Sequence, residues 1–270
     1  LKPDYAEAYN NMGNAFKSKA KLDKAIESYN KALTLKPNYA EAYNNIGIAL
    51  EDTIFKNPNP SLQSTITSLL DQKSYVRPRN IVKAAISLLK LEPTLKKHIH
   101  NISVDQFKRP LQEVIANLSE LNLLLKLMSV CPIEDIELEC LLKELRAKLL
   151  LSNSSLVSTP EVLRFQSALA LQCFNNEYIY SQSENEDKAL KDLERTVRLA
   201  LSNNKQQNPQ SILCLASYRP LNQYEWYDKL ILTSEIKDVL TSQVLEPKQE
   251  SIFKSKLPLL KEINNEVSLK

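Results

Sequence analysis

Apolar positions recur at intervals of three and four through most of this chain, and the positions between them are polar or charged. Tyr9, Met12, Gly13 and Phe16 follow the i, i+3, i+4, i+7 spacing that puts them on one face of a helix. The spacing returns in Ile81, Ala85, Leu88 and Leu89, within a segment that has Pro78 near its first turn and stops at Pro93. Pro110 starts another run, through Val114, Ile115 and Leu118 into the apolar stretch 121–130. Residues 133–151 place Ile136, Cys140, Leu141, Leu145 and Leu149 together, with acidic side chains early and basic ones late, an order that complements the helix dipole. Thr159 caps a helix from Pro160 that carries Leu163, Phe165, Leu169, Cys173 and Phe174. Further helical runs are expected over 184–201, 209–218, 233–245 and 258–269. The pattern predicts an all-α fold with short polar connections.

One stretch is spelled twice. AEAYNNMG at residues 6–13 returns as AEAYNNIG at 40–47, and residues 1–16 and 35–50 agree at twelve of sixteen positions. An interval of 34 residues is a repeat period. In the first copy Tyr9, Met12, Gly13 and Phe16 are followed by Ala25, Tyr29, Ala32 and Pro37. The small Gly13 and Ala25 let two antiparallel helices approach, and Pro3 and Pro37 punctuate the turns between copies. The second copy keeps Tyr43, Ile46, Gly47 and Leu50 and then departs, because Pro58 and Pro60 cannot lie inside a helix. A helix can restart at Ser61 with Leu62, Ile66, Leu69 and Leu70 on one face, covering the open side of the last copy as a capping helix does.

This signature resembles the tetratricopeptide repeat (TPR). The resemblance implies a short helix–turn–helix solenoid over 1–58, with one complete and one partial repeat, followed by an irregular helical domain over 59–270. It also implies that Pro3 ends an earlier repeat, so that the chain is a piece of a longer solenoid. In such repeats the first helices line a groove for a protein or peptide. Glu7, Asn10, Asn11, Asn14 and Lys17 project from that side, with Glu41, Asn44 and Asn45 as counterparts in the second copy. Carboxamides offer both a donor and an acceptor to an extended backbone. Asn11 and Asn45 match the asparagine ladder of superhelical TPR arrays such as that of O-GlcNAc transferase; the alternative is that they bond only to neighbouring helices. Glu7 and Glu41 stand where repeats that grip acidic tails carry basic residues, which disfavours that ligand.

Composition narrows the chemistry. Only two of 270 residues are glycine, Gly13 and Gly47, so from residue 48 onward no Gly-rich phosphate loop or nucleophile elbow can be built. The longest apolar stretch, 121–131, is too short to span a bilayer, and no signal-peptide layout opens the chain. Cys131, Cys140, Cys173 and Cys214 form no CxxC pair and sit in apolar surroundings, which predicts reduced core cysteines and a cytoplasmic location. A net charge of +3 does not argue for nucleic acid, and Arg77, Arg79, Lys96 and Lys97 belong to a mixed solvated surface. His98 and His100 are the two histidines; two ligands do not hold a zinc, and a solvated helix end is expected there, with no metal site and no catalytic residue. The cluster around Trp226 in LNQYEWYDKL (221–230) is core or an interface anchor.

A second resemblance covers nearly the whole chain. The stretches NPNPSLQSTITSLLDQKSYVRPRNIVKAAISLLKLEP, LLLKLMSVCPIEDIELECLLKELR, FQSALALQCFNNEYIY and EINNEVSLK look like the region linking TPRs to a class I S-adenosylmethionine (SAM)-dependent methyltransferase domain in bacterial proteins. It implies a non-catalytic interaction module that positions a C-terminal catalytic domain, itself absent here, with SAM bound only there and with intramolecular docking between the two. The alternatives are that the helical region contributes to the methyl-acceptor site, or that the chain is a stand-alone scaffold.

Overall fold

The computed structural model describes residues 5–72, 75–103, 110–205 and 208–256. Among these residues the regular structure is helical throughout, with no strand. The first two helices, α1 (Ala6–Ser18) and α2 (Leu22–Leu35), form the antiparallel pair that the repeat predicts. Gly13 permits it: a Cβ at that position would run into the Tyr29 ring. Ala25, Tyr29 and Ala32 of α2 are fully buried in consequence. The turn between them has no glycine, and Ala20 takes a φ of 54°.

The next helix, α3 (Ala40–Leu50), repeats α1 but is not followed by the antiparallel partner of an intact repeat. A loop leads instead to α4 (Pro60–Asp71), where Pro60 occupies the first turn and Asn59 caps it by accepting from Leu62 N–H at 3.0 Å. Leu62, Ile66, Leu69 and Leu70 are buried, the face expected from the sequence. The following helix, α5 (Pro78–Leu89), and the residues before it run beside α3 in the same direction. Tyr75 stacks on Tyr43 with centroids 5.4 Å apart, Val76 faces Gly47, Lys83 pairs with Asp52 at 2.6 Å, and Phe55 N–H donates to Ser87 Oγ at 3.0 Å. The second repeat is thus closed by α5 rather than by a helix of its own kind.

Helices α6 (Pro93–Ser103), α7 (Leu111–Ser119), α8 (Asn122–Val130), α9 (Ile136–Leu151) and α10 (Pro160–Asn175) continue the bundle. Past Pro93 the chain forms α6, and His98 on it is 2% exposed, which corrects the expected solvated position. The run from Pro110 breaks into two helices at residues 120–121. Ile136 is 80% exposed and Cys140 is exposed, because α9 turns Leu138, Leu141, Leu142, Leu145 and Leu149 inward instead. Thr159 caps α10 by accepting from Val162 N–H.

The last helices are α11 (Glu184–Ser202), α12 (Pro209–Ala216), α13 (Lys237–Leu240) and α14 (Glu246–Lys256), the final two joined by a π turn over Thr241–Leu245. The helix expected over 258–269 lies outside the described residues. Trp226 and Tyr224 are buried and stacked at 4.7 Å, so the aromatic cluster is core. One group of buried apolar side chains runs from Ala25 to Tyr180 and a second from Ala170 to Val244. Helix α10 feeds both, Phe165, Leu169 and Cys173 to the first and Ala170 and Leu171 to the second, which is why its sequence is apolar on several sides.

Candidate peptide-binding groove

The first helix of each copy sets the site. On α1 and α3 the packing residues face α2 and the core, and the polar residues of AEAYNN divide between the seam and the solvent. Asn10 lies in the seam, fully buried. Its Nδ2 donates to Glu41 Oε1 at 2.9 Å, and its Oδ1 accepts from Asn45 Nδ2 at 3.0 Å. Glu41 is held from its other side, where Oε2 accepts from the Tyr39 hydroxyl at 3.2 Å. Burial comes first among the causes that raise the Tyr39 pKa, and the nearby Glu41 carboxylate adds to it.

Three of the eight expected groove residues, Asn10, Glu41 and Asn45, are therefore joined in one network across the α1–α3 seam. Asn10 is a correction: with both ends of its carboxamide bonded and no exposed surface, it offers nothing to a ligand. Asn14 is partly committed as well, its Oδ1 accepting from the Tyr29 hydroxyl at 2.8 Å. Glu7 is exposed and accepts from the Tyr5 hydroxyl, a bond that is the leading cause of the raised Tyr5 pKa. Asn11, Lys17 and Asn44 are exposed. Beside Asn44, one turn further along α3, Ile48, the counterpart of Asn14 in the second copy, is 46% exposed and adds an apolar contact.

Residues 13–53 match the family model of the TPR repeat. The chain carries a TPR repeat. The match takes in the second half of α1, all of α2 and α3, and ends within the α3–α4 loop. No curated protein and no solved structure matches the chain. A TPR repeat points to a protein–protein interaction module, and the exposed set on α1 and α3 is where this one presents its polar surface.

Two clefts among the described residues lie away from the exposed set on α1 and α3. One of about 420 Å³ separates α2 from the start of α4 and is lined by Asp23, Asn30, Lys31, Ser61 and Thr65. Another, of about 670 Å³, lies among α4, α8, α10 and the α13 region, with Lys126, Arg164, Glu235 and Asp238 on its walls. Neither was visible as a spacing, since their residues come from segments remote in sequence. Among the described residues no cluster of three metal-ligating side chains occurs, and no helix is long and apolar enough to cross a membrane.

Proposed function

We propose that this chain is a non-catalytic module that binds an extended peptide segment of a partner protein across α1 and α3. The observation that carries the reading is the outward set Lys17, Asn44 and Ile48 on two helices whose mutual register is fixed by the buried Asn10 bonds. Carboxamide and ammonium groups at fixed spacing suit backbone carbonyls and amides, and Ile48 supplies a pocket-edge contact for one side chain. Glu7 and Glu41 on the same helices oppose a strongly acidic ligand.

The resemblance of the helical region extends the proposal. In the longer protein this module positions a C-terminal SAM-dependent methyltransferase domain, bringing the bound partner to it.

Two measurements test these statements. Peptides selected from a random display library on the intact chain are expected to lose about tenfold or more in affinity when Asn44→Ala and Ile48→Ala are combined, each lost contact being worth about 1 kcal/mol. Unchanged affinity would remove α3 from the site. Equilibrium dialysis with labelled S-adenosylmethionine should show binding to a longer reading frame and none to residues 1–270; binding to the shorter chain would overturn the non-catalytic assignment.

A further inference from the structure

A third cleft, of about 800 Å³, opens between the α1–α2 turn with the start of α2 and the α3–α4 loop. It exists because the second copy departs from the repeat: past Asp52, which takes a φ of 54°, the chain runs as a loop to Asn59 instead of turning into a second helix. Both walls are held by their own bonds. On one, Ala20 N–H donates to Lys17 O at 2.9 Å and Lys21 N–H to Phe16 O at 3.0 Å. On the other, Phe55 N–H is anchored on Ser87 Oγ and Asn59 caps α4. Three lysines line the cleft, Lys21 and Lys24 from the first wall and Lys56 from the second, against one carboxylate, Asp23. All three are exposed, and none has an ion-pair partner among the described residues. Two carboxylates close by in sequence are engaged elsewhere: Glu27 pairs with Lys31 at 3.0 Å and Asp52 with Lys83 at 2.6 Å. The same cleft is lined by Leu22, Phe55 and Ile54, the last 69% exposed. Apolar surface left open within a charged rim belongs to an interaction site rather than to a core.

We propose that this cleft docks an acidic segment of a partner protein, one in which carboxylates flank an apolar side chain. The carboxylates meet Lys21, Lys24 and Lys56, and the apolar side chain covers Ile54. Charge complementarity selects this occupant: three unpaired ammonium groups around one cleft gain most from a ligand of opposite sign. The apolar contact supplies the register that charge alone does not. The site does not depend on the groove across α1 and α3, where Glu7 and Glu41 repel the same ligand.

The probe is a short fluorescent peptide of aspartates and glutamates around a central Leu-Phe pair, titrated with the intact chain by anisotropy at about 50 mM salt, where screening is weak. Lys21→Glu combined with Lys56→Glu should weaken binding about tenfold or more, and Ile54→Ser about tenfold. Circular dichroism should be unchanged in both variants, because all three side chains are exposed. The same peptide with Ser-Ser at its centre should lose as much as Ile54→Ser costs. Peptides whose binding depends on Asn44 and Ile48 should keep their affinity for the double lysine variant, which separates this site from the groove. No binding of the probe, equal binding to the double variant, or a parallel loss for the groove peptides overturns the proposal. So does a loss in the double variant that neither Ile54→Ser nor the serine-centred peptide reproduces, since that is diffuse attraction without a seat in the cleft. Tighter binding to phosphatidylserine vesicles than to the probe would give the surface to a membrane instead.

Discussion

Gly13 and Gly47 hold equivalent places in the two copies but face different neighbours. In an open helix, alanine is worth about 1 kcal/mol more than glycine. Gly13→Ala is expected to reverse that sign, costing about 1–3 kcal/mol, because its methyl collides with the Tyr29 ring. Gly47→Ala meets the Val76 methyls at 3.0 and 3.1 Å, and the expected change is near zero because a side chain outside a regular helix can give way. Denaturant unfolding of both variants checks the contrast. Ala20 sits at a φ of 54° in the α1–α2 turn, so Ala20→Gly should stabilise by about 1 kcal/mol in the same assay. The tight approach at Gly13 and Ala25 was legible from residue size alone. Which of two adjacent asparagines turns into the seam was not: Asn10 and Asn11 differ by only about 100° around the helix, and the position of α3 decides between them.

Between elements, the strongest polar joint fastens α9, α11 and the turn after α12. Arg146 is 1% exposed; its Nη2 donates to Ser181 O at 2.9 Å and to Glu186 Oε1 at 3.3 Å, and its guanidinium lies 4.2 Å from the centre of the Tyr218 ring. Glu186 also accepts from the Tyr218 hydroxyl at 2.7 Å and from Ser183 N–H at 2.9 Å, closing a capping box at the start of α11. Burial pushes the Glu186 carboxyl up, but the Ser183 and Tyr218 bonds and the Arg146 charge outweigh it and hold the group below its ordinary value. A depressed folded-state pKa contributes stability that is complete above the unfolded glutamate value of about 4.3 and is lost as pH falls through the folded value. Glu186→Gln should therefore lower stability at pH 7 and flatten the acid side of the stability–pH curve below about pH 4. Arg146→Ala is expected to cost about 3–5 kcal/mol, because it strands a buried carboxylate. At this scale the sequence showed most helices and little of their joints. The burial of His98 on α6 escaped because Lys96, Lys97 and the second histidine make that segment read as solvated, and the α7–α8 break carries neither proline nor glycine. The Arg146–Glu186 pair spans 40 positions, with no local spacing to announce it.

Across the molecule, burial sorts the cysteines. Cys131, Cys173 and Cys214 are buried, and burial pushes each thiol up to about 12, whereas Cys140 is exposed on α9. Native protein should react with a thiol reagent at one cysteine quickly and at the other three only on unfolding. Mass mapping of the first modified site checks it, and rapid modification of Cys214 would contradict the packing around α12. The all-α class was legible because helical periodicity and a near absence of glycine agree. The sharing of α10 between two cores was not, since it depends on contacts between segments far apart in sequence.

The apolar core that begins at Ala25 in the repeat does not stop at its end but continues through α5, α8 and α10 to Tyr180. Occupancy of α1 and α3 by the proposed peptide would consequently be linked to the folding equilibrium of helices outside the site. A segment bound at a hundred times its dissociation constant adds about 2.7 kcal/mol to every opening that breaks that shared core. Amide protons in α8 and α10 would then exchange more slowly in the complex, reporting peptide capture from the far side of the protein.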